Sequence, residues 1–477
     1  MSVFPSLDDL ARQATERPDE IALASVVRSW TFAELADAVD AVSSRLREAG
    51  VKTRDIVAID LPAAHEWIVD LALFRLAARS ASLRGVDHGG SFPCDVLVTA
   101  PGPRGLLAPL VVEVDELWID GAVSRASAPG PLVDYARPDS IFRLMLTSGT
   151  TGTPRAAAYS LDGLENRLAG LHRYWTDARP ELNFMSLSTT GGVHTAIASL
   201  HHGTAYRAVD RIDEATMRWA AGQGIRVLCG SPIQVARALE LVTEHGLALP
   251  ELEEIRMAGA SASPALLALI ESTVAVPVRG VYGSTEGGGV TMRMLHADDD
   301  PANVGPALPG LELQVVDDAG SPVPDGTPGT VRYRGPGLVA GYFERGTVTP
   351  FPGGWFAPGD TGVLVDGSLV LGGRSAELIN VGGSKIDPTR VDELALTFPG
   401  VRDAAAFGFE LRPGIDTMAL AVVSEPDCDL GALDQVMRQR LSHGYPTTFW
   451  RVAEIPRNRM GKVERGALAS AFGRAQR

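Results

Sequence analysis

The chain has 477 residues, 45% hydrophobic and 21% charged, a balance ordinary for a water-soluble globular protein and a length too great for one compact domain. Its net charge of −15 argues against nucleic acid or an anionic membrane as a partner. The three cysteines, Cys94, Cys229 and Cys428, are far apart without metal-ligand spacing, and read as reduced thiols of a cytoplasmic protein.

The start, Met1 to Pro5, lacks a basic stretch followed by an apolar core, so no signal peptide is expected. No apolar run has the length to cross a bilayer. Leu7, Leu10 and Ala14 repeat at helical spacing after Ser6. Thr31-Phe32-Ala33-Glu34 is a capping box, opening a helix that runs through Leu46 to Ala49. A short buried strand is expected over Asp55 to Asp60, a helix from about Ala64 to Ala78, and a second strand over Cys94 to Thr99. This alternation predicts α/β layers around a mostly parallel sheet. Ile141 to Leu146 reads as another apolar strand.

Beyond Gly305 the texture changes to dense Gly and Pro with short strands, over Glu312 to Val316, Thr330 to Arg334, Gly362 to Val365 and Ser368 to Leu371. Asp366-Gly367 signals a tight turn between the last two. From about Ala376 onward a smaller α+β unit is expected. It has helices near Pro388 to Phe398 and Leu430 to Leu441, and strands near Ala404 to Phe409 and Met418 to Val423. No internal repeat or low-complexity tract is present.

Chemistry concentrates in a few segments. The strand ending at Leu146 feeds Thr147-Ser148-Gly149-Thr150-Thr151-Gly152-Thr153-Pro154-Arg155, a run of hydroxyls and glycines closed by a cation. Glycines let backbone N–H groups turn toward an anion, hydroxyls add donors, and Arg155 can neutralise phosphate charge. The Gly-Lys-Ser/Thr ending of a Walker A loop is missing. Then come Ala258-Gly259-Ala260-Ser261, Tyr282-Gly283-Ser284-Thr285-Glu286, Gly354-Trp355-Phe356-Ala357-Pro358-Gly359-Asp360, Gly373-Arg374, and Pro456-Arg457-Asn458-Arg459-Met460-Gly461-Lys462.

In this order, from about Ser6 to Leu468, these segments resemble the motifs of the adenylate-forming superfamily, which includes acyl-CoA synthetases, peptide-synthetase adenylation domains and luciferases. Asn303-Val304-Gly305-Pro306 and Gly341-Tyr342 agree as well. The resemblance implies a large N-terminal domain over residues 1–374, made of layered α/β subdomains plus a β-rich subdomain, and a small mobile α+β lid over 375–477. It implies ATP and Mg²⁺, with coenzyme A or a phosphopantetheine arm as acceptor. Residues 147–152 would hold phosphates, and Gly259, Ala260 and Ser261 would line the adenine pocket. Tyr282 would pack on adenine beside Gly283 and Ser284, and Thr285 would meet the α-phosphate. Glu286 would hold Mg²⁺, since a hard cation takes a carboxylate plus phosphates. Asp360 would take both ribose hydroxyls, Arg374 would contact the nucleotide, and Lys462 would stabilise charge in the adenylation transition state.

The chain also departs from the family pattern. Arg155 stands for Lys, Ala156 for Gly and Pro358 for Thr, and Ala376 occupies the hinge position that usually carries Asp or Lys. Arg79 to Asp87 lacks a segment usual in the family. In the expected acid pocket, Thr189 stands near the usual His or aromatic position, and Thr190 replaces the Asp that pairs with an amino acid's ammonium, which disfavours an α-amino acid substrate. His194, Gly287 and Gly288 are candidates to shape this pocket, with a packed helix histidine as the plainer reading of His194. Gly383 and Lys385 agree with the loop facing the acceptor tunnel.

The resemblance thus implies an acid–thiol ligase, with a small-molecule acid as substrate and coenzyme A or an acyl carrier protein as acceptor. Two alternatives stand beside it. One is an adenylating enzyme with a non-thiol acceptor such as an amine, including activation of an inorganic acid such as nitrite. The other is a degenerate nucleotide-binding module, which retention of Glu286, Asp360 and Lys462 disfavours.

Overall fold

The computed structural model describes residues 5–84, 92–102, 106, 108–115, 118–119, 140–147, 155–171, 177–344, 346–374, 379–381, 384–386, 388–412, 415–441, 446, 448–457 and 463–475. The first helix, Pro5–Glu16, leads to Phe32–Glu48. The second starts at the expected box. The Thr31 N–H donates to Glu34 Oε2 at 2.8 Å, and the Glu34 N–H donates to Thr31 Oγ1 at 3.2 Å. Such a cap is worth about 1 kcal/mol against alanine.

The first large sheet is eight-stranded. Its parallel part runs in the order Ile141–Thr147, Arg79–Ser82, Ile56–Asp60, Val96–Thr99, Leu110–Glu113. Antiparallel strands Arg155–Ser160, Tyr342–Glu344 and Thr347–Thr349 extend one edge. The helix Ala63–Leu76 is buried on nearly every side, including Glu66 and Asp70, which lie one turn apart on one face. It ends at Ala77 in a left-handed conformation, φ 52°.

A second sheet stacks Glu181–Asn183, Val227–Gly230, Glu254–Ala258 and Val278–Ser284 in parallel, with Gly288–Leu295 folding back antiparallel. Helices Glu214–Ala221, Pro232–Glu244 and Pro264–Thr273 supply Met217, Val235, Leu239, Leu266 and Ile270 to its core. The β-rich region is a third, antiparallel sheet of Asn303–Pro306, Ser368–Arg374, Asp360–Val365, Gly329–Arg334 and Glu312–Val316. The Asp366-Gly367 turn has positive φ at both residues, 49° and 76°, with Val365 paired to Ser368. That is the backbone a two-residue hairpin requires.

The last unit pairs Val401–Arg412 with Ile415–Ser424, and the latter with Thr448–Arg451. Alternate residues serve opposite faces. Ala404, Ala406, Met418, Leu420 and Val422 pack with Val391, Leu433 and Met437 of helices Pro388–Leu396 and Leu430–Arg440. Ala405, Phe407, Ala419 and Ala421 pack with Leu468 and Phe472 of helix Arg465–Ala475. A sheet buried on both sides explains why these strands read as continuous apolar runs rather than alternating ones. A short hairpin, Ile379–Val381 with Ser384–Ile386, precedes this unit.

One charged cluster is buried between the first large sheet and the helix Ala63–Leu76. Arg143 donates to Asp70 Oδ2 at 2.6 Å, to Ser80 Oγ at 3.0 Å and to the Leu187 carbonyl, while Glu66 Oε1 stands 3.7 Å away. Two fully buried carboxylates share this guanidinium. Burial first, then the neighbouring Asp70, push the Glu66 carboxyl up to about 8, whereas its ordinary value is near 4.5. The folded chain therefore binds this proton more tightly than the unfolded chain. The associated stability is complete below about 4.5 and is lost as pH rises through about 8. Glu66→Gln, which keeps the neutral amide shape, is expected to flatten the fall of thermal midpoint across that window. A wild-type pH profile in the variant would refute this account.

Candidate active site

The hairpin of Val278–Ser284 and Gly288–Leu295 carries Tyr282 to Glu286 at its turn end. The register slips between Tyr282 and Gly283. A Cβ on Gly283 would stand 1.9 Å from the Gly288 carbonyl oxygen, so only glycine allows the two strands to close there. The Ser284 hydroxyl accepts from the Gly287 N–H at 3.0 Å and from Tyr333 Oη at 2.8 Å. Burial raises the Tyr333 pKa, which keeps its hydroxyl protonated and donating.

A cavity of about 370 Å³ opens beside this hairpin, within the size range of small-molecule sites. Gly259, Ala260 and Ser261 line it together with Tyr282, Gly283, Asn303 and Asp360. Tyr282 Oη donates to Asp360 Oδ2 at 2.5 Å. Asp360 opens its strand opposite Arg374 and is buried. Sequence segments more than 50 residues apart thus meet around one space.

Glu286 is 6% exposed. Its Oε1 accepts from Tyr342 Oη at 2.6 Å. Burial, then the carboxylate itself, raise the Tyr342 pKa, so this hydroxyl remains a donor. The Arg155 guanidinium lies 5.0 Å from the Tyr342 ring centroid, a cation–π distance. Arg155 and Thr147 are paired across adjacent strands, and Thr147 Oγ1 donates to the Arg155 carbonyl at 3.4 Å. The two ends of the hydroxyl-and-glycine loop are therefore held together. Ser148, Gly149, Thr150, Thr151 and Gly152 lie outside the described residues.

The proposed acid-pocket residues have definite local partners. Thr189 caps the helix Thr190–His202, accepting from the Gly192 N–H at 3.2 Å and donating to the Ser186 carbonyl at 2.8 Å. Thr190 Oγ1 is 2.6 Å from Tyr159 Oη, and Tyr159 Oη donates to the Thr285 carbonyl at 2.8 Å. His194 is buried within the same helix. Gly287 and Gly288 line a smaller cavity of about 60 Å³ beside Arg167.

Lys462 and Gly383 lie outside the described residues, as do the side chains of Arg374 and Lys385. The flanks of the Lys462 segment are described. Arg457 and Val463 form an antiparallel bridge, and both line the large cavity. Arg457 pairs with Asp403 at 2.6 Å, and Arg465 with Asp392 at 2.6 Å. Burial pushes Asp392 up to about 6.

Among the described residues no cluster of three or more His, Cys, Asp or Glu could cage a metal. The chemistry of Glu286 suits Mg²⁺ nonetheless, because that ion commonly takes one or two carboxylates and completes its shell with phosphates and water. Tyr159, Arg167 and Tyr333 carry no motif in the sequence, and Tyr342 stands out there only through Gly341-Tyr342, with no role attached. Tyr159 ends the run Ala156-Ala157-Ala158, where a lone polar tip after small apolar residues was the available signal.

The chain matches the family model described as AMP-binding enzyme over residues 10–83 and 105–343. It is 30% identical to a sulfoacetate–CoA ligase of Cupriavidus necator, over 81% of this chain and 75% of that protein. It is 28% identical to the fatty acid–[acyl-carrier-protein] ligase MmaC of Mycobacterium marinum, over 100% of this chain and 99% of the relative. A third relative, a naringenin synthase of Pestalotiopsis fici, is 28% identical over 97% of this chain, which spans only 19% of that protein's length. In fold, it is similar to the o-succinylbenzoate CoA synthetase of Bacillus subtilis solved with an acyl-adenylate, with TM-score 0.82 at 23% identity over 96% of this chain and 97% of that one. The ordered motifs, the shared cavity and these matches agree, and the chain belongs to the AMP-binding enzyme family.

Proposed function

We infer that this chain activates a small carboxylic acid as its acyl-AMP and passes the acyl group to a thiol. The observation that carries the reading is the convergence of Tyr282, Asp360 and the Gly259–Ser261 turn on one cavity, with Glu286 at the end of the same hairpin. An adenine and ribose match those groups: an aromatic face, a backbone turn and a carboxylate with two acceptor oxygens.

In the first step a carboxylate oxygen of the acid attacks the α-phosphorus of ATP. The bond from that phosphorus to the bridging oxygen breaks, and pyrophosphate leaves with the electron pair. Thr285 and Lys462 are assigned to the charge that grows on the α-phosphate and the attacking oxygen. Residues 147–152 with Arg155 are assigned to the β- and γ-phosphates, and Arg374 to the nucleotide. Bound Mg²⁺ supplies positive charge to the phosphates, and Glu286 would hold it. Tyr342 keeps the Glu286 carboxylate in one orientation by its donated hydrogen bond.

In the second step a thiolate sulfur attacks the acyl carbon and AMP leaves. Relatives named as CoA ligases and as an acyl-carrier-protein ligase support a thiol acceptor, either coenzyme A or a carrier-protein phosphopantetheine. Gly383 and Lys385 are assigned to the tunnel for that arm. Thr189, Thr190, His194, Gly287 and Gly288 are assigned to the walls and supports of the acid pocket. The division is proposed as residues 1–374 for nucleotide and acid and 375–477 as the lid. No helix among the described residues is long and apolar enough to cross a membrane. A cytoplasmic setting suits Cys94, Cys229 and Cys428, which are free thiols, and the use of ATP.

Three outcomes test the reading. Acid-dependent pyrophosphate exchange across an acid panel should appear, followed by thioester formation when coenzyme A or a loaded carrier is added. Amide product with amine acceptors and none with thiols would replace the second step. Lys462→Ala should lower exchange by about 100-fold or more while leaving the thermal midpoint in place; near wild-type exchange would remove that residue from the mechanism. Asp360→Asn should raise the KM for ATP by about tenfold, the loss of a charge-assisted hydrogen bond, with a smaller change in kcat. An unchanged KM would mean the ribose lies elsewhere.

A further inference from the structure

Arg167 sits on the helix Leu161–Leu171 and is almost wholly buried. Among the described residues no carboxylate pairs with it. Its donors go instead to neutral oxygens. Nε donates to the Gly337 carbonyl, and Nη1 to Tyr159 Oη at 2.7 Å and to the Thr285 carbonyl at 3.4 Å. Nη2 donates to the Glu286 carbonyl and, at 3.4 Å, to that of Thr285. The guanidinium also stacks 4.6 Å from the Tyr159 ring centroid. A Cβ on Gly337 would stand 2.8 Å from Arg167 Cγ, so the opposing loop is cut back to glycine where this side chain passes.

Burying a cation costs several kcal/mol unless hydrogen bonds compensate it. An apolar side chain would fill the same space without that cost. What only the planar fork provides is a simultaneous hold on two successive carbonyls, those of Thr285 and Glu286. Fixing both carbonyls fixes the peptide between them, and with it the direction in which Glu286 leaves the backbone. The Val339 N–H adds a third tie, donating to the Glu286 carbonyl at 2.9 Å. Burial raises the Tyr159 pKa, so its hydroxyl stays protonated. It donates to the Thr285 carbonyl while accepting from Arg167, and its contact with Thr190 joins the start of the Thr190–His202 helix to the same turn.

We propose that Arg167, acting with Tyr159, is a positioning residue for the metal-bearing turn: it orients Thr285 and Glu286 toward Mg²⁺·ATP without touching the nucleotide. This rests on the reading above, in which Glu286 holds the metal. The described donors of Arg167 go to the Thr285 and Glu286 carbonyls, to Tyr159 and to the Gly337 carbonyl, which separates its role from that proposed for Arg155.

The test is equilibrium binding of ATP by calorimetry, with Mg²⁺ and with EDTA, to the full-length protein and to Arg167→Lys and Tyr159→Phe. Lysine keeps the charge and loses the fork. Phenylalanine keeps the ring and loses only the hydroxyl. Arg167→Lys is expected to bind Mg²⁺·ATP about tenfold more weakly, the usual effect of removing a group that orients a metal ligand, with affinity in EDTA unchanged. Tyr159→Phe should move in the same direction by a smaller factor. Equal loss with and without Mg²⁺ would show a general packing role and overturn the proposal, as would wild-type affinity in both media. Should Arg167→Lys fail to fold, Tyr159→Phe decides alone by the same criteria. A wild-type protein that binds no ATP at all would instead sink the functional reading, which is a separate failure.

Discussion

A carboxylate taken out of water must be given donors or lose its charge, and much of this molecule is organised around one such group. Glu286 lies at the tip of a hairpin where the second sheet, the third sheet and the edge of the first sheet meet. The second sheet carries the hairpin, the first sheet contributes two ties and the third sheet one. The edge strand Tyr342–Glu344 sends the Tyr342 hydroxyl to the carboxylate. Tyr333 of the third sheet fastens Ser284 just before it. Tyr159 of the first sheet fastens Thr285. The relative placement of three sheets is thereby written into a few hydroxyl contacts with one turn.

Much of this architecture was legible in the sequence, and the exceptions have physical reasons. The capping box at Thr31, the Asp366-Gly367 turn and four of the five third-sheet strands are readable because local backbone requirements select particular residues, whereas the strand Asn303–Pro306 is not. In the last unit, uninterrupted apolar runs marked strands covered on both faces. The strand Arg79–Ser82 was not readable. Its residues are small, polar or charged, and it is a strand because Ser80 meets Arg143 and its neighbours supply the ladder.

The site divides in the same way. Residues that sit in ordered motifs, such as Tyr282, Glu286 and Asp360, stood out; Tyr282 and Asp360 meet at one cavity, and Glu286 follows at the end of the same hairpin. Residues that act by holding others did not. Arg167 and Tyr159 have no motif of their own, since their meaning comes from carbonyl oxygens more than 100 residues away. The exchange of the family's lysine for Arg155 acquires a rationale only in three dimensions. The Arg155 guanidinium lies 5.0 Å from the Tyr342 ring centroid, and unlike an ammonium it can stack its flat face on a ring and still present a fork of donors.

The pairing of Thr147 with Arg155 has a thermodynamic side. Drawing together the ends of a chain segment costs entropy, and whichever event supplies the closure must overcome it. Here the neighbouring strands zip the ends shut as the sheet forms, so the penalty falls on folding of the domain. On the proposed reading, a triphosphate held between those ends would not have to supply that closure, and more of its contact energy would appear as affinity.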